Sequence, residues 1–290
     1  MMPKHESLGD RMKFYERHFG SNLTYLMPLV PAVIRLDGRA FHTFTRGLDR
    51  PFDRGMTDLM DRTTRYLVEE TNACIGYTQS DEITLVLYAE SHNSQIHLDG
   101  KVDKLNSLLA SAASLYFASH LEDYIPSKAG QRPQFDCRCF SVPNKAEAVN
   151  ALVWREQDAT RNSIQMLGQA NFSHARLQNK SCDEIQELLF SEKGINWNDT
   201  RDRDKRGGYF QRRHIERAFT AEELSNLPER HEARSNPDLV ITRREIAAVE
   251  MPILTKVINQ SDVVFNGAEP EVECNQDGLN PTIGRRLSGI

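Results

Sequence analysis

Apolar residues recur along this chain with two different periods. Leu29-Val-Pro-Ala-Val-Ile34 is a short, β-branched run of the kind that forms a buried strand, and it gives way to Arg35-Leu-Asp-Gly38, where a glycine permits a turn. From Asp53 to Asn72 the spacing turns helical, with Met56, Leu59, Met60, Thr63, Leu67 and Thr71 falling on one face. Two strand-like runs follow, Cys74 to Thr78 and Ile83 to Tyr88; the intervening Gln79-Ser-Asp-Glu82 predicts a hairpin. A second helix carries Leu105, Leu108, Leu109, Ala112, Leu115 and Tyr116. Beyond a polar loop from Pro126 to Pro133, Phe135 to Val142 is another strand.

The order is therefore β-α-β-β-α-β. It predicts an α+β fold: a ferredoxin-like βαββαβ core, an antiparallel sheet with helices on one face, the arrangement of polymerase palms and nucleotide cyclases. Lys145 to Gly168 and Cys182 to Phe190 read as helices. Arg201 to Arg213 is a charged segment around Gly207-Gly208, and an apolar strand or helix is expected near Ile253 to Phe265. From Gly267 onward the composition predicts a loose chain. The expected organisation is a palm-type core over 1–143, a helical region over 144–213 that completes the catalytic domain and contributes to RNA binding, and a C-terminal extension over 214–290.

Composition narrows the function classes. The chain has 290 residues, 36 Lys and Arg against 41 Asp and Glu, and a net charge of −5, so any nucleic-acid surface must be a local basic patch. No apolar stretch approaches a membrane span, and Met1 to Lys13 is too polar for a signal peptide. Five cysteines, an odd number in no framework spacing, read as reduced thiols in a cytoplasmic protein. Cys137-Arg-Cys139 lacks the two-residue gap of a zinc knuckle.

Two acids carry the candidate chemistry. Asp37 ends the first strand and Asp81 sits in the hairpin turn, and in a ferredoxin-like sheet these elements are neighbours. Each alone is an ordinary turn residue. Together they form two close carboxylates whose repulsion a divalent cation relieves, and magnesium takes one or two carboxylates with water and phosphate oxygens. The Gly38 carbonyl is a candidate further ligand. Glu82, one residue beyond Asp81 on an extended chain, is expected to face away from it.

The motif Arg35-Leu-Asp-Gly-Arg-Ala-Phe-His42 followed by Tyr77-Thr-Gln-Ser-Asp-Glu82 resembles the tRNA-histidine guanylyltransferase superfamily. Trp154-Arg155, Arg161-Asn162-Ser163, Leu188-Leu-Phe-Ser-Glu192 and Ile195-Asn-Trp197 extend the resemblance, in order, over roughly residues 10 to 213. The stretch Thr160-Arg-Asn-Ser-Ile-Gln-Met166 keeps only Asn162 of the eukaryotic motif at that place and looks like the bacterial and archaeal guanylyltransferase-like branch, whose members prefer templated repair of 5′-truncated tRNA.

The resemblance implies nucleotide addition to the 5′ end of tRNA in the 3′-to-5′ direction, after ATP or GTP activation of the 5′-phosphate, with two magnesium ions. By position it places Asp37, Gly38 and Asp81 at the metals. Arg39, Phe41, His42 and Ser80 fall at the nucleotide, as does Asn162, and Arg50 stands where the family has a lysine. Lys101 and Lys104 fall near the triphosphate. It also implies tRNA, ATP, GTP and other nucleoside triphosphates as partners, and a homo-oligomer, dimer or tetramer. The segment Arg201 to Arg213 is a solvated charged loop on its own terms. Beside the resemblance, Arg201, Arg203, Lys205, Arg206, Arg212 and Arg213, with Arg176 and Lys180, become candidate tRNA-backbone contacts. A palm-type nucleotide cyclase and a non-catalytic RNA-binding module are the alternatives.

Overall fold

In a computed structural model, residues 24–91, 94–236 and 239–273 are described. Six strands form one antiparallel sheet in the order β4-β1-β3-β2-β5-β6. The strands are β1 (Ala32–Gly38), β2 (Ile75–Gln79), β3 (Glu82–Leu87), β4 (Phe135–Ser141), β5 (Gly208–Ala218) and β6 (Val240–Val249). The first four make the βαββαβ unit that the sequence predicts, and β5 and β6 extend it beyond β2.

Strand β1 runs to Gly38, further than its apolar run suggests. Ala32, Ile34 and Leu36 enter one core with β3 and two helices, α2 (Arg54–Thr71) and α3 (Val102–Ser119). Val33, Arg35 and Asp37 alternate onto the opposite face. Helix α2 starts where the Asp53 side chain accepts from the Met56 amide at 2.9 Å, and ends at Asn72 in the left-handed region. Its buried Thr63, Thr64 and Thr71 hydroxyls each donate to a carbonyl four residues back, so three polar groups enter the core satisfied. Between β1 and α2 lies α1 (Phe41–Phe44), whose two phenylalanines pack with Phe117 and Phe135 at centroid distances of 5.1 to 6.0 Å.

Helices cover both faces of the sheet, not one. The long α4 (Lys145–Asn171) presses Ala148, Val149 and Leu152 against Ile75, Tyr77 and Val86 on the face away from α2 and α3. Tyr209, Val249, Leu254, Val263 and Val264 complete this second core, the last two on α7 (Gln260–Asn266), which follows α5 (Cys182–Lys193) and α6 (Asp202–Arg206) in the chain. Gln211 ties the layers together: its amide lies 2.9 to 3.1 Å from the carbonyls of Cys74, Val263 and Val264.

Two further expectations change. The charged segment around Gly207-Gly208 is helix α6 followed by β5, which pairs with β6 over ten residue pairs. Arg212, Arg213, Glu216 and Arg217 interrupt β5, and Arg243, Arg244 and Glu245 interrupt β6, so no apolar alternation announces the ribbon. The chain from Gly267 to Glu273 is also held: Arg213 pairs with Glu269, and Val272 bridges to Val257. Residues 274–290 lie outside the described residues.

Candidate active site

The carboxylate end is built by backbone pairing. Ser80 and Asp81 form the two-residue turn joining β2 to β3, with Ser80 at φ 48°. Strand β1 pairs with β3 so that Asp37 stands opposite Glu82, and the Gly38 amide donates to the Asp81 carbonyl at 3.1 Å. The first strand and the turn are thereby clamped side by side. Gly38 has to be glycine here, because an added Cβ would lie 2.4 Å from the Phe41 ring.

Electrostatics mark both acids. Burial and then the Asp37 charge push the Asp81 carboxyl up to about 6, while the Ser80 hydroxyl donates to it at 3.1 Å. The Asp37 carboxyl is also raised, first by burial and next by Glu82 and Asp136, its cross-strand neighbours on β3 and β4. Asp136 is paired with Arg138 at 3.0 Å, and Glu82 with Arg155 at 2.5 Å and Arg35 at 3.4 Å. Among the described residues, neither Asp37 nor Asp81 has a cation as ion-pair partner.

That donor set fits a hard divalent ion. Two oxygen ligands without a cation gain from one, and no group of three or more His, Cys, Asp or Glu among the described residues could hold a metal unaided. Such an ion would take the rest of its ligands from water and phosphate.

Beside Asp81 opens a cavity of about 540 Å³. Phe41, His42, Arg50, Ser80 and Asn162, expected at a nucleotide, line it with Gly38 and Asp81, expected at the metals; Asp37 is not on its wall. Unforeseen walls are Met56, Met166 and Ala159, which are apolar, together with Gln79, Gln169 and Arg203. The volume and the mix of apolar wall and few polar groups suit a small ligand.

Some expected residues are placed elsewhere. Phe41 is only 2% exposed and belongs to the aromatic core, so it shapes the cavity floor rather than offering a free ring. Arg39 points to Gln134 at 2.9 Å and does not line the cavity. Lys101 pairs with Asp99 at 3.1 Å at the start of α3, and exposed Lys104 follows one turn later. From Lys104 to Phe117, which touches Phe41, the helix rises about 20 Å, so both lysines stand at the opposite end of the sheet.

The basic candidates are mostly engaged within the fold. Arg176 pairs with Glu192, Lys180 with Glu184, Arg201 with Asp204, Arg206 with Asp202 and Arg213 with Glu269. Arg203 reaches Asp61 on α2 at 2.5 Å, and Lys205 is buried, donating to the Asn198 carbonyl at 2.7 Å above the Trp197 ring. Gly207 at φ +86° lets Tyr77 pack where a side chain would stand, and the Tyr77 hydroxyl donates to the Arg206 carbonyl at 2.7 Å. Of the eight, Arg212 alone has no ion pair or hydrogen bond among the described residues.

One network escapes sequence reasoning. Glu82 stands opposite Asp37 on the same face of the sheet and meets the buried guanidinium of Arg155 on α4. Arg155 also binds Asp158 at 2.8 Å, and Asp158 is 3.4 Å from the Asn162 amide on the cavity wall. Arg35 and Arg155 both stack on Trp154, at 5.0 and 4.6 Å. The i, i+3 spacing of Arg155 and Asp158 was the available signal.

A palm-like sheet with two aspartates that have no ion-pair partner among the described residues, and a ligand-sized cavity beside Asp81, is an arrangement that suits a nucleotidyltransferase. A family model described as tRNAHis guanylyltransferase matches residues 9–143. The tRNA(His) guanylyltransferase of Saccharomyces cerevisiae is 27% identical over 216 residues, covering 69% of this chain and 89% of that protein. A solved bacterial tRNA(His) guanylyltransferase-like protein in complex with ATP superposes with a TM-score of 0.66 at 35% identity, covering 71% of this chain and 87% of that one. Another, in complex with GTP, gives 0.65 at 28% identity over 87% of this chain and 95% of that one. The chain belongs to the tRNA(His) guanylyltransferase family. No helix among the described residues is long and apolar enough to cross a membrane.

Proposed function

We propose that this protein adds nucleotides to the 5′ end of tRNA in the 3′-to-5′ direction, with repair of 5′-truncated tRNA as its main task and G addition to tRNA-His as the related one. The observation that carries the proposal is the clamped Asp37–Asp81 pair, without an ion-pair partner among the described residues, with Asp81 and Gly38 on the cavity wall. The solved relatives in complex with ATP and with GTP support a nucleoside triphosphate in that cavity.

The chemistry follows from the substrate. A 5′-monophosphate carries no leaving group, so one of its oxygens first attacks the α-phosphate of ATP or GTP and expels pyrophosphate. The 3′-hydroxyl of an incoming nucleotide then attacks the activated 5′-phosphorus, a new phosphodiester forms, and the nucleoside monophosphate departs. Both are in-line displacements, in which positioning and charge neutralisation do most of the catalysis. Asp37 and Asp81, with the Gly38 carbonyl, would hold magnesium ions, which supply neutralisation of phosphate charge. The apolar walls Met56, Ala159 and Met166 seat the base. His42, Arg50, Ser80 and Asn162 offer polar contacts to sugar and phosphate. The same proposal expects tRNA as the RNA partner, a cytoplasmic location and a homo-oligomer, dimer or tetramer.

Incubation of wild type and Asp81→Ala with a 5′-truncated tRNA, ATP and the four nucleotides tests the proposal. Loss of a metal carboxylate removes several kcal/mol, so extension is expected to fall on the order of a thousand-fold. Extension by the variant at the wild-type rate would remove the carboxylates from the chemistry. A cyclic nucleotide formed without RNA would instead make the protein a cyclase.

A further inference from the structure

The β5–β6 ribbon has two chemically different faces. On the face that continues the second core, every arginine is answered by a carboxylate: Arg213 by Glu269, Arg217 by Glu223 and Glu245, and Arg243 by Glu223. Cross-strand register puts Arg212 beside Ile246, His214 beside Arg244 and Glu216 beside Thr242 on the other face. Arg212, His214 and Arg244 make no ion pair, hydrogen bond or ring contact among the described residues. Glu216, next along, pairs with none of them, and neither does Glu69, one turn beyond Arg65 on α2.

Arg65 extends this surface. It donates to the Ile246 carbonyl at 2.6 Å and lies over the Phe210 ring at 4.7 Å, half-buried where α2 packs on the ribbon. A basic side chain directly opposite another does not favour hairpin formation. Arg212 and Arg244, beside an imidazole and without an ion pair or hydrogen bond among the described residues, contribute little to the fold; with Arg65, which also ties α2 to the ribbon, they are complementary to a polyanion.

We propose that this face, Arg65, Arg212, His214 and Arg244, grips the phosphodiester backbone of the RNA substrate. The inference rests on the nucleotidyl-transfer proposal for the identity of that RNA, and it moves the contact surface away from Arg201, Arg203, Lys205 and Arg206. Its position suits the task. β5 begins at Gly208, opposite Thr78 and next to the catalytic turn, and runs outward. At about 3.3 Å per residue, Arg212 lies roughly 13 Å and His214 roughly 20 Å along the strand from that start. An RNA with its 5′ end at Asp81 passes over them.

The test is equilibrium binding of a 5′-truncated tRNA transcript, without nucleotide, between about 50 and 200 mM salt. Each phosphate contact adds roughly 0.7 to 0.9 to the slope of log affinity against log salt. Arg212→Gln with Arg244→Gln is expected to lower that slope by about 1.5 and weaken binding about 10-fold or more at low salt, with ATP binding and melting temperature unchanged. Arg217→Gln, on the paired face, is expected to lower the melting temperature and leave the slope alone. A double variant that keeps the wild-type slope, with Arg212→Glu and Arg244→Glu equally silent, overturns the proposal even while wild type extends tRNA. Conversely, a slope that drops as expected in a protein that transfers no nucleotide upholds the gripping face and removes the catalytic proposal instead.

Discussion

The Ser80–Asp81 turn with Asp37 and the segment from Arg201 to Arg206 are both dense in charge, and they use it in opposite ways. Around Arg201 to Arg206 each cation finds an acid or a carbonyl: Arg201 with Asp204, Arg203 with Asp61, Lys205 and Arg206 with Asp202. At the turn, Asp37 and Asp81 repel one another, and neither has an ion-pair partner among the described residues. The first pattern holds α6 against α2 and contributes to folding. The second opposes folding and makes sense only with a ligand present. Charge density alone does not mark function; a charge left without a partner does.

The contrast can be broken at either end. Asp37→Asn should have the largest effect, cutting 5′ extension about a thousand-fold while the melting temperature of the ligand-free protein holds or rises, because a repulsion disappears. A variant that unfolded more easily would make Asp37 a structural acid. Arg203→Ala should show the reverse. Removing one partner of a half-buried pair leaves Asp61 in a desolvated place, so stability falls by about 2 kcal/mol, while the salt slope of RNA binding stays at the wild-type value. A lower slope with unchanged melting would return Arg203 to the RNA.

The smallest expected effect sharpens the comparison through pH. The Asp81 carboxyl stands at about 6 in the fold against an ordinary value of 3.8, so the folded state holds its proton more tightly than the unfolded chain. Its contribution to stability is complete below 3.8 and is lost as pH rises through about 6. Denaturant midpoints of the ligand-free protein should therefore report about 1 kcal/mol lost between roughly pH 5 and 8 that Asp81→Asn does not lose. Saturating magnesium with ATP should flatten the wild-type profile. A wild-type profile identical to that of Asp81→Asn would place the carboxylate in water.

Much of the first half of the fold was legible because local and tertiary signals agree there. The hairpin, α2 and α3 announce themselves by period, and the strand order then brings Asp37 to Asp81. What could not be read depended on partners distant in sequence. Arg155 and Glu82 are 73 positions apart by residue number, and Arg203 meets Asp61 across 142 positions. Arg201 to Arg213 looks like a solvated basic stretch until those acids are seen. Lys101 and Lys104 have the right charge for a triphosphate, yet the direction of α3 carries them to the other end of the sheet. The β5–β6 ribbon was hidden because its faces are selected by charge pairing rather than by hydrophobic alternation.

Gly38 separates two kinds of change that this enzyme can undergo. The spacing of its acids is dictated by main-chain bonds and by an aromatic plug beneath them. The walls of the adjoining chamber are interchangeable side chains borrowed from α2 and α4, such as Met56 and Met166. Preference for one ligand over another can thus drift through those walls while the clamped acids stay as they are, without the scaffold being rebuilt.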